Sequence, residues 1–301
     1  MFTSLLYLGF FLRMKPFLLA LLLLPSPLLA QLNTTGPPAA AARDTATAAS
    51  GWTLSILADQ RSFYLGREYG DHALSLAPSL TYSHRSGLYG TVGGYYFQQS
   101  QPPRYAFTEL ELGYANDFTD NWTYAISYDR VFFTPPLSAT DRLIPNGLEA
   151  YTAYQLGPLQ VAADYNFFFG KSSAQTLTLG LSSAFKRAEW LGFDEVSLTP
   201  EAQVLWGSPL ALARYGGTYP TATTAITKAH GRRKTTTTTT ETLSQAVRLL
   251  GYELALPLRA ERGALAYTLA GHYIAPRRTP ADAAAPLPTG SYLSLQVDFS
   301  F

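Results

Sequence analysis

The sequence predicts an all-β fold, a closed antiparallel transmembrane β-barrel of about twelve strands that follows an N-terminal signal peptide. Three observations predict it. Apolar and polar side chains alternate along many strand-length segments, the connections between the segments alternate between short and long, and only 14% of the 301 residues are charged. Soluble globular domains typically carry roughly 25% charged residues. We divide the chain into a signal peptide at 1–30, a flexible leader at 31–50 and a barrel at 51–301.

The first thirty residues have the order expected of a secretory signal peptide. Met14-Lys15 forms a short basic start, an apolar run follows at Phe17–Leu24, and the small residue Ala30 ends the segment. Translation from Met1 would only add a second apolar stretch. The alternative is an inner-membrane anchor, but an apolar run of about 15 residues is shorter than the roughly 20 that span a bilayer. We expect cleavage after Ala30.

The next segment, 31–50, is rich in Ala, Thr and Pro and has almost no large apolar residue. It cannot bury enough surface to order itself, so we expect a flexible leader. The chain has no Cys. A disulfide framework, a thiolate metal site and a cysteine nucleophile are therefore excluded.

A period of two begins at Gly51 and persists to the end of the sequence. Strict alternation of this kind predicts strands with one apolar face. Most segments have about the 9 to 11 residues that a tilted transmembrane strand needs. In chain order the segments are one that begins at Gly51, Leu74–Tyr82, Leu88–Phe97, Tyr105–Ala115, one that begins at Trp122, Leu148–Leu156, Leu159–Phe169, one around Leu179, Phe193–Trp206, Leu250–Leu258, Leu265–Tyr273 and Ser291–Phe301.

The lengths of the connections test this division. Bacterial single-chain barrels have short periplasmic turns and longer external loops. The external connections Thr134–Asn146, Ser208–Ala246 and Pro276–Gly290 are long, and only Gly170–Ser173 is short where length is expected. The short periplasmic turns are His84–Gly87, Asn116–Asn121, Gly157–Pro158, Lys186–Gly192 and Ala260–Gly263.

Alternation alone does not say which face of the sheet is outside. About eight strands enclose an interior that side chains can fill, whereas larger barrels enclose a cavity or a channel. We therefore expect the Leu, Tyr and Phe rows to face lipid and the polar rows to face a wet lumen. In lipid every backbone polar group needs a partner within the protein, so the sheet must close.

The last strand, Ser291–Phe301, ends on an aromatic residue, with Phe299 and Val297 on the same face. In this it resembles the C-terminal signal of bacterial outer-membrane barrels, which the barrel-assembly machinery recognises. From Gly51 onward the chain resembles outer-membrane barrels of the Bacteroidota type, in pattern and not in any functional motif. The resemblance implies the cell outer membrane, contact with its lipid and lipopolysaccharide, and Phe299 and Phe301 as the insertion signal.

Nine carboxylates fall on the face predicted to line the lumen, with Arg61 as the clearest basic counterpart. An open acidic lumen would favour cations over anions. The alternative is that the carboxylates bond to polar neighbours and plug the barrel. A third reading places Ca²⁺ between acidic side chains, since this ion prefers oxygen ligands. The nine residues are Asp59, Glu109, Glu111, Asp129, Glu149, Asp164, Glu201, Glu253 and Asp298.

These features favour a passive channel or structural barrel, admitting small solutes, with no catalysis, no cofactor and no nucleic-acid partner. One alternative is a surface hydrolase, since His72 beside Asp71 and His272 lie at external strand ends where acid–base chemistry is possible. His84, near Ser86, falls in a periplasmic turn, and no GxSxG or HExxH motif is present after the signal peptide.

The other alternative is an accessory or binding barrel that acts through its external loops. The longest loop carries the basic run Lys228–Lys234 followed by six threonines. Such a run can contact the phosphates of lipopolysaccharide. More often such a run is simply a solvated loop.

Overall fold

The computed structural model describes residues 50–61, 63–65, 67–68, 74–97, 104–134, 144–208, 210–211, 247–277 and 289–301. The predicted signal peptide and the leader up to residue 49 lie outside these ranges. The described residues include no helix long and apolar enough to cross a membrane. Their strands are β1 (Gly51–Asp59), β2 (Phe63–Tyr64), β3 (Arg67–Glu68), β4 (Ser75–Ser83), β5 (Leu88–Phe97), β6 (Arg104–Thr119), β7 (Trp122–Phe133), β8 (Asn146–Leu156), β9 (Leu159–Phe169), β10 (Ser173–Ser183), β11 (Phe185–Trp190), β12 (Phe193–Leu198), β13 (Glu201–Gly207), β14 (Arg248–Arg262), β15 (Leu265–Pro276) and β16 (Gly290–Ser300).

Twelve of the described strands form one closed antiparallel ring, which confirms the predicted fold class. β1 closes the ring because it pairs with β4 on one side and with β16 on the other. At this closure Trp52 and Phe301 exchange two backbone hydrogen bonds of 2.8 and 2.9 Å. The order around the ring is β1, β4, β5, β6, β7, β8, β9, β10, β13, β14, β15, β16 and back to β1.

The strands follow the predicted segments, and two of them, Leu88–Phe97 and Leu159–Phe169, have the predicted bounds. The predicted segment Phe193–Trp206 is divided in the structure into β12 and β13. The break falls at Thr199-Pro200, where the proline has no N–H to donate to a neighbouring strand. A short hairpin of β2 and β3, which the sequence did not predict, lies in the first external connection.

One hairpin extends beyond the barrel wall at the periplasmic end. β11 pairs with β12, and β12 pairs in turn with the last part of β14. The turn occupies Leu191 and Gly192, which is narrower than the predicted turn over 186–192. Gly192 has a φ of 86°, a left-handed conformation that favours glycine.

Large apolar side chains cover the outside of the ring. On β1, Trp52, Leu54 and Ile56 are 41 to 47% exposed, while Thr53 and Ser55 between them face inward. A water-soluble barrel would bury such a row, whereas a membrane barrel presents it to lipid. The apolar rows therefore face outward, as predicted, and the fold is that of a transmembrane β-barrel.

Aromatic residues gather at the periplasmic rim of this surface. The ring of Phe118 lies 4.2 Å from that of Tyr124 and 5.2 Å from that of Trp122, and Trp122 also contacts Tyr154. Such aromatic girdles mark the boundary between lipid and water in membrane barrels. They set the level of the bilayer relative to the lumen.

Candidate functional site

Strand alternation places all nine predicted carboxylates on the inner face of the barrel. Glu111, for example, lies between Leu110 and Leu112, which are exposed on the outer face. Asp59 and Glu253 are the most deeply buried, each with 1% of its surface exposed. The functional role of the nine residues stays a prediction.

Five of these carboxylates lie on four adjacent strands, β6 to β9, and we call this group the acidic wall. The register places Glu111 directly opposite Asp129 on β7. On β8, Glu149 lies between Ser127 of β7 and Asn166 of β9. Facing residues on paired strands have Cβ atoms about 4.5 to 5.5 Å apart, so the acidic side chains share one patch. The acidic wall consists of Glu109, Glu111, Asp129, Glu149 and Asp164.

Several partners within the acidic wall are uncharged. Tyr89 donates a 2.9 Å hydrogen bond from its hydroxyl to Glu111, and Asn166 donates one of the same length to Asp164. Glu149 Oε1 is buried and has no hydrogen-bond partner. Among the residues that the structure describes, Glu111, Glu149 and Asp164 form no ion pair.

A glycine, Gly113, makes room for the tyrosine that contacts the acidic wall. The ring of Tyr89 lies across Gly113 of the neighbouring strand, where an added Cβ would come within 2.3 Å of the ring carbon Cζ. Tyr89 is 2% exposed and packs with the small residues Ala115 and Ala125. Gly113 therefore leaves the space in which Tyr89 reaches Glu111.

On the opposite side of the lumen, formed by β14, β15, β16 and β1, a cation pairs with Asp298 and Glu261, and we call this side the compensated wall. Arg259 Nη1 lies 3.2 Å from Asp298, and its Nε lies 2.6 Å from Glu261. Ser55 and Gln296 each donate a 2.7 Å hydrogen bond to the other oxygen of Asp298. Asp298 is thus held by one cation and two neutral donors.

Sequence reasoning missed Arg259 and named Arg61 as the basic counterpart instead. Arg259 lies one residue beyond Leu258, the predicted end of its strand, so it was assigned to no face. In the structure the guanidinium of Arg61 lies 5.2 Å from the ring centre of Phe63. Extending the alternation of β14 by one step would have placed Arg259 in the lumen.

A third cluster lies in the external half of the compensated wall. His272 Nδ1 is 2.9 Å from Glu253 Oε1, and its Nε2 is 2.9 Å from Ser294 Oγ. The ring of Tyr292 stacks on the imidazole at 4.4 Å with an angle of 3°. The sequence placed His272 at the external rim, but the structure places it inside the barrel with 7% of its surface exposed.

Asp59 belongs to the same part of the lumen. It faces Ser294 across the β1–β16 pair. Ser75 donates a 3.4 Å hydrogen bond to its Oδ2, while its buried Oδ1 has no hydrogen-bond partner. Glu201, on β13, lies further round the ring opposite Ala255.

Apolar side chains occupy the external end of the lumen, and we call them the apolar cap. They come both from inward positions of the wall and from the connections above it. Four external-connection residues, with Leu210 and Ala211 among them, are 6% exposed or less. The apolar cap consists of Leu65, Ile144, Phe168, Ala174, Leu205, Leu210, Ala211 and Leu250.

The remaining candidates find less support. The described residues contain no group of three or more His, Asp or Glu side chains placed to hold a metal ion, so the alternative of a calcium ion between acidic side chains has no counterpart there. His84 Nδ1 lies 2.8 Å from Ser86 Oγ in the exposed periplasmic turn, as the sequence suggested. Asp71, His72, His230 and the basic run Lys228–Lys234 lie outside the described residues.

No family model matches the sequence, and no curated protein matches it either. Solved structures do show similarity. They include the KdgM porin (10% identity, 83% of this chain and 99% of that chain, TM-score 0.47) and the NanC porin (11%, 82% and 98%, TM-score 0.43). LpxR from Salmonella typhimurium is a further one (12%, 83% and 99%, TM-score 0.40). Identities and TM-scores this low do not assign a function to this chain. The resemblance to Bacteroidota-type barrels stays a prediction.

Proposed function

We propose that the protein is a passive channel of the bacterial outer membrane whose lumen favours cations over anions. The acidic wall carries this proposal, because it places five carboxylates on adjacent strands inside a closed ring. The compensated wall adds Arg259, but this cation is already shared between Asp298 and Glu261. Among the described residues Glu111, Glu149 and Asp164 form no ion pair, so this side of the lumen should attract cations.

The physical basis is the focusing of the field by low-dielectric walls. A cleft lined by one sign of charge concentrates counter-ions, and rings of acidic side chains select cations in known channels. Small neutral solutes would pass by size alone. The alternative, a lumen closed by its own polar network, differs in one measurable respect, since it conducts no ions.

The apolar cap adds a restriction at the external end. Hydrophobic constrictions impede ions because water leaves a narrow apolar passage readily. Leu65→Ser and Leu210→Ser introduce hydroxyls at two cap positions, and we expect each to raise single-channel conductance. An unchanged conductance in both variants would show that ions bypass the cap.

The decisive experiment is conductance of the purified protein in a planar bilayer with a salt gradient. We expect stepwise conductance and a reversal potential of the sign that marks cation preference. The variant Glu111→Gln/Glu149→Gln/Asp164→Asn should lose most of this preference. Asp120→Asn, in an exposed periplasmic turn, is the matched control. Absence of conductance at every voltage, in the wild type and in both cap variants, would refute the channel.

The last strand supports a proposal about assembly. Phe299 and Phe301 are exposed on the outer face, and their rings stack 5.5 Å apart. We expect the barrel-assembly machinery to bind this aromatic pair and the finished barrel to contact outer-membrane lipid and lipopolysaccharide. Phe301→Ala should reduce the amount of folded protein in the outer-membrane fraction. Leu293→Ala, which also removes an outward side chain from β16, should not reduce it as much.

A further inference from the structure

We infer that Glu253, His272 and Ser294 form an acyl-transfer site inside the external half of the lumen, with small carboxylic esters as its substrate class. The three residues lie on β14, β15 and β16, which pair in this order. This inference goes beyond the proposed channel and does not depend on it. It rests on the geometry around the imidazole.

Both imidazole nitrogens have the partner that nucleophilic catalysis needs. An ionised carboxylate only accepts hydrogen bonds, so Glu253 requires the proton of His272 on Nδ1. Nε2 is then left as an acceptor, 2.9 Å from Ser294 Oγ. This is the tautomer in which a histidine can take the proton of a serine hydroxyl.

The surroundings hold this arrangement in place. The register places Tyr292 directly opposite His272, and its ring stacks on the imidazole. The Tyr292 hydroxyl also donates a 3.4 Å hydrogen bond to Glu253 Oε1, the same atom that faces the imidazole. Ser294 and Glu253 are each 1% exposed, so their interactions are little screened by water. The catalytic groups are thus fixed by the rigid strands and not by loops.

The reaction proceeds in two balanced steps. Ser294 Oγ attacks the ester carbonyl carbon while its proton passes to His272 Nε2, and the alcohol leaves with that proton to give an acyl-serine. Water then attacks the acyl carbon while one of its protons passes to Nε2, and Ser294 Oγ leaves the acyl carbon with that proton, which gives a carboxylic acid and restores both side chains. Asp59 Oδ1, a buried acceptor without a partner on the strand facing Ser294, is placed to hold that water.

The test is covalent labelling of the folded, detergent-solubilised protein with a small fluorophosphonate, located by mass spectrometry. We expect phosphonylation of Ser294 with loss of fluoride, and none in Ser294→Ala. His272→Ala should slow labelling by about 100-fold or more, the usual contribution of a general base. Ser75→Ala is the matched control, because Ser75 is equally buried in the same region but its hydroxyl bonds to Asp59.

Access to the site is tested with Phe63→Ala. Phe63 lies on β2, in the first external connection, and its ring centre is 4.9 Å from that of Tyr292. It therefore covers the cluster from the external side. We expect faster labelling of Ser294 in this variant, provided that heat-modifiable gel mobility shows a folded barrel. Release of p-nitrophenol from p-nitrophenyl acetate should follow the same order among the variants. No labelling in both the wild type and Phe63→Ala, or labelling that does not depend on His272, would overturn the inference.

Discussion

The two sides of the lumen carry the same kind of side chain in different surroundings. On the compensated wall, Asp298 meets Arg259 and two neutral donors. On the acidic wall, Glu111 meets a tyrosine hydroxyl and faces a further carboxylate, Asp129. A buried carboxylate without a cation costs folding free energy unless water or donors solvate it. The difference therefore separates a carboxylate that is stabilised by a cation from a carboxylate that is held by a neutral donor.

The largest effect is expected when the compensated wall loses its cation. Arg259→Gln leaves Asp298 and Glu261 without their ion pair, and we expect a loss of about 2 to 3 kcal/mol in the free energy of unfolding. Urea unfolding in detergent micelles, followed by tryptophan fluorescence, measures it. Arg85→Gln, in an exposed turn, should change little. If Arg259→Gln is as stable as the wild type, the wall is not stabilised by compensation.

The same variant also tests the electrical role of Arg259. Once its positive charge is removed, the cation preference of the channel should rise above that of the wild type. A double-mutant cycle with Asp298→Asn separates the pairwise term from the two single losses. A coupling near zero would show that the pair of Arg259 and Asp298 contributes nothing to stability.

A smaller loss is expected when the packing of the acidic wall is disturbed. Gly113→Ala puts a methyl group where the ring of Tyr89 lies, so the ring must move and its hydrogen bond to Glu111 is lost. Overpacking of this kind costs about 1 to 2 kcal/mol. Gly271→Ala is the matched control, because an added Cβ there has its nearest neighbour at 3.9 Å. Equal stability of the two variants would contradict the fit between Tyr89 and Gly113.

Charge removal from the acidic wall should change selectivity more than stability. In Glu111→Gln/Glu149→Gln/Asp164→Asn we expect the cation-to-anion permeability ratio to fall several-fold, because the focused field is lost. The unfolding free energy should stay within about 1 kcal/mol, since these groups form no described ion pair that would be broken. A large destabilisation with unchanged selectivity would identify the wall as a structural network.

Several features of the barrel could be predicted from the sequence. Strand number, strand faces and the inward position of all nine carboxylates follow from a period of two, which a single chain displays directly. A barrel that must face lipid leaves little freedom in which rows point outward. Arg259 was missed only because its strand was ended at Leu258, so that error concerned a boundary and not the rule.

Contacts between strands were beyond the sequence. The cluster of Glu253, His272 and Ser294 depends on the register of three strands, and a shift of one residue moves a side chain to the opposite face. β14 and β15 are joined by a short turn, but the connection between β15 and β16 is long, and alternation gives no information about the register across it. The apolar cap was also missed, because Leu65 and Leu210 belong to connections that have no periodic pattern.

The smallest effect is expected for an ion pair outside the lumen. Lys186 lies 3.0 Å from Glu195 on the hairpin of β11 and β12, where both side chains are in contact with solvent. Exposed pairs contribute about 0 to 1 kcal/mol, because water already solvates both charges. Lys186→Ala should therefore change the unfolding free energy by less than about 0.5 kcal/mol in the urea experiment. If Lys186→Ala lost as much stability as Arg259→Gln, burial inside the barrel would not explain the strength of the ion pair between Arg259 and Asp298.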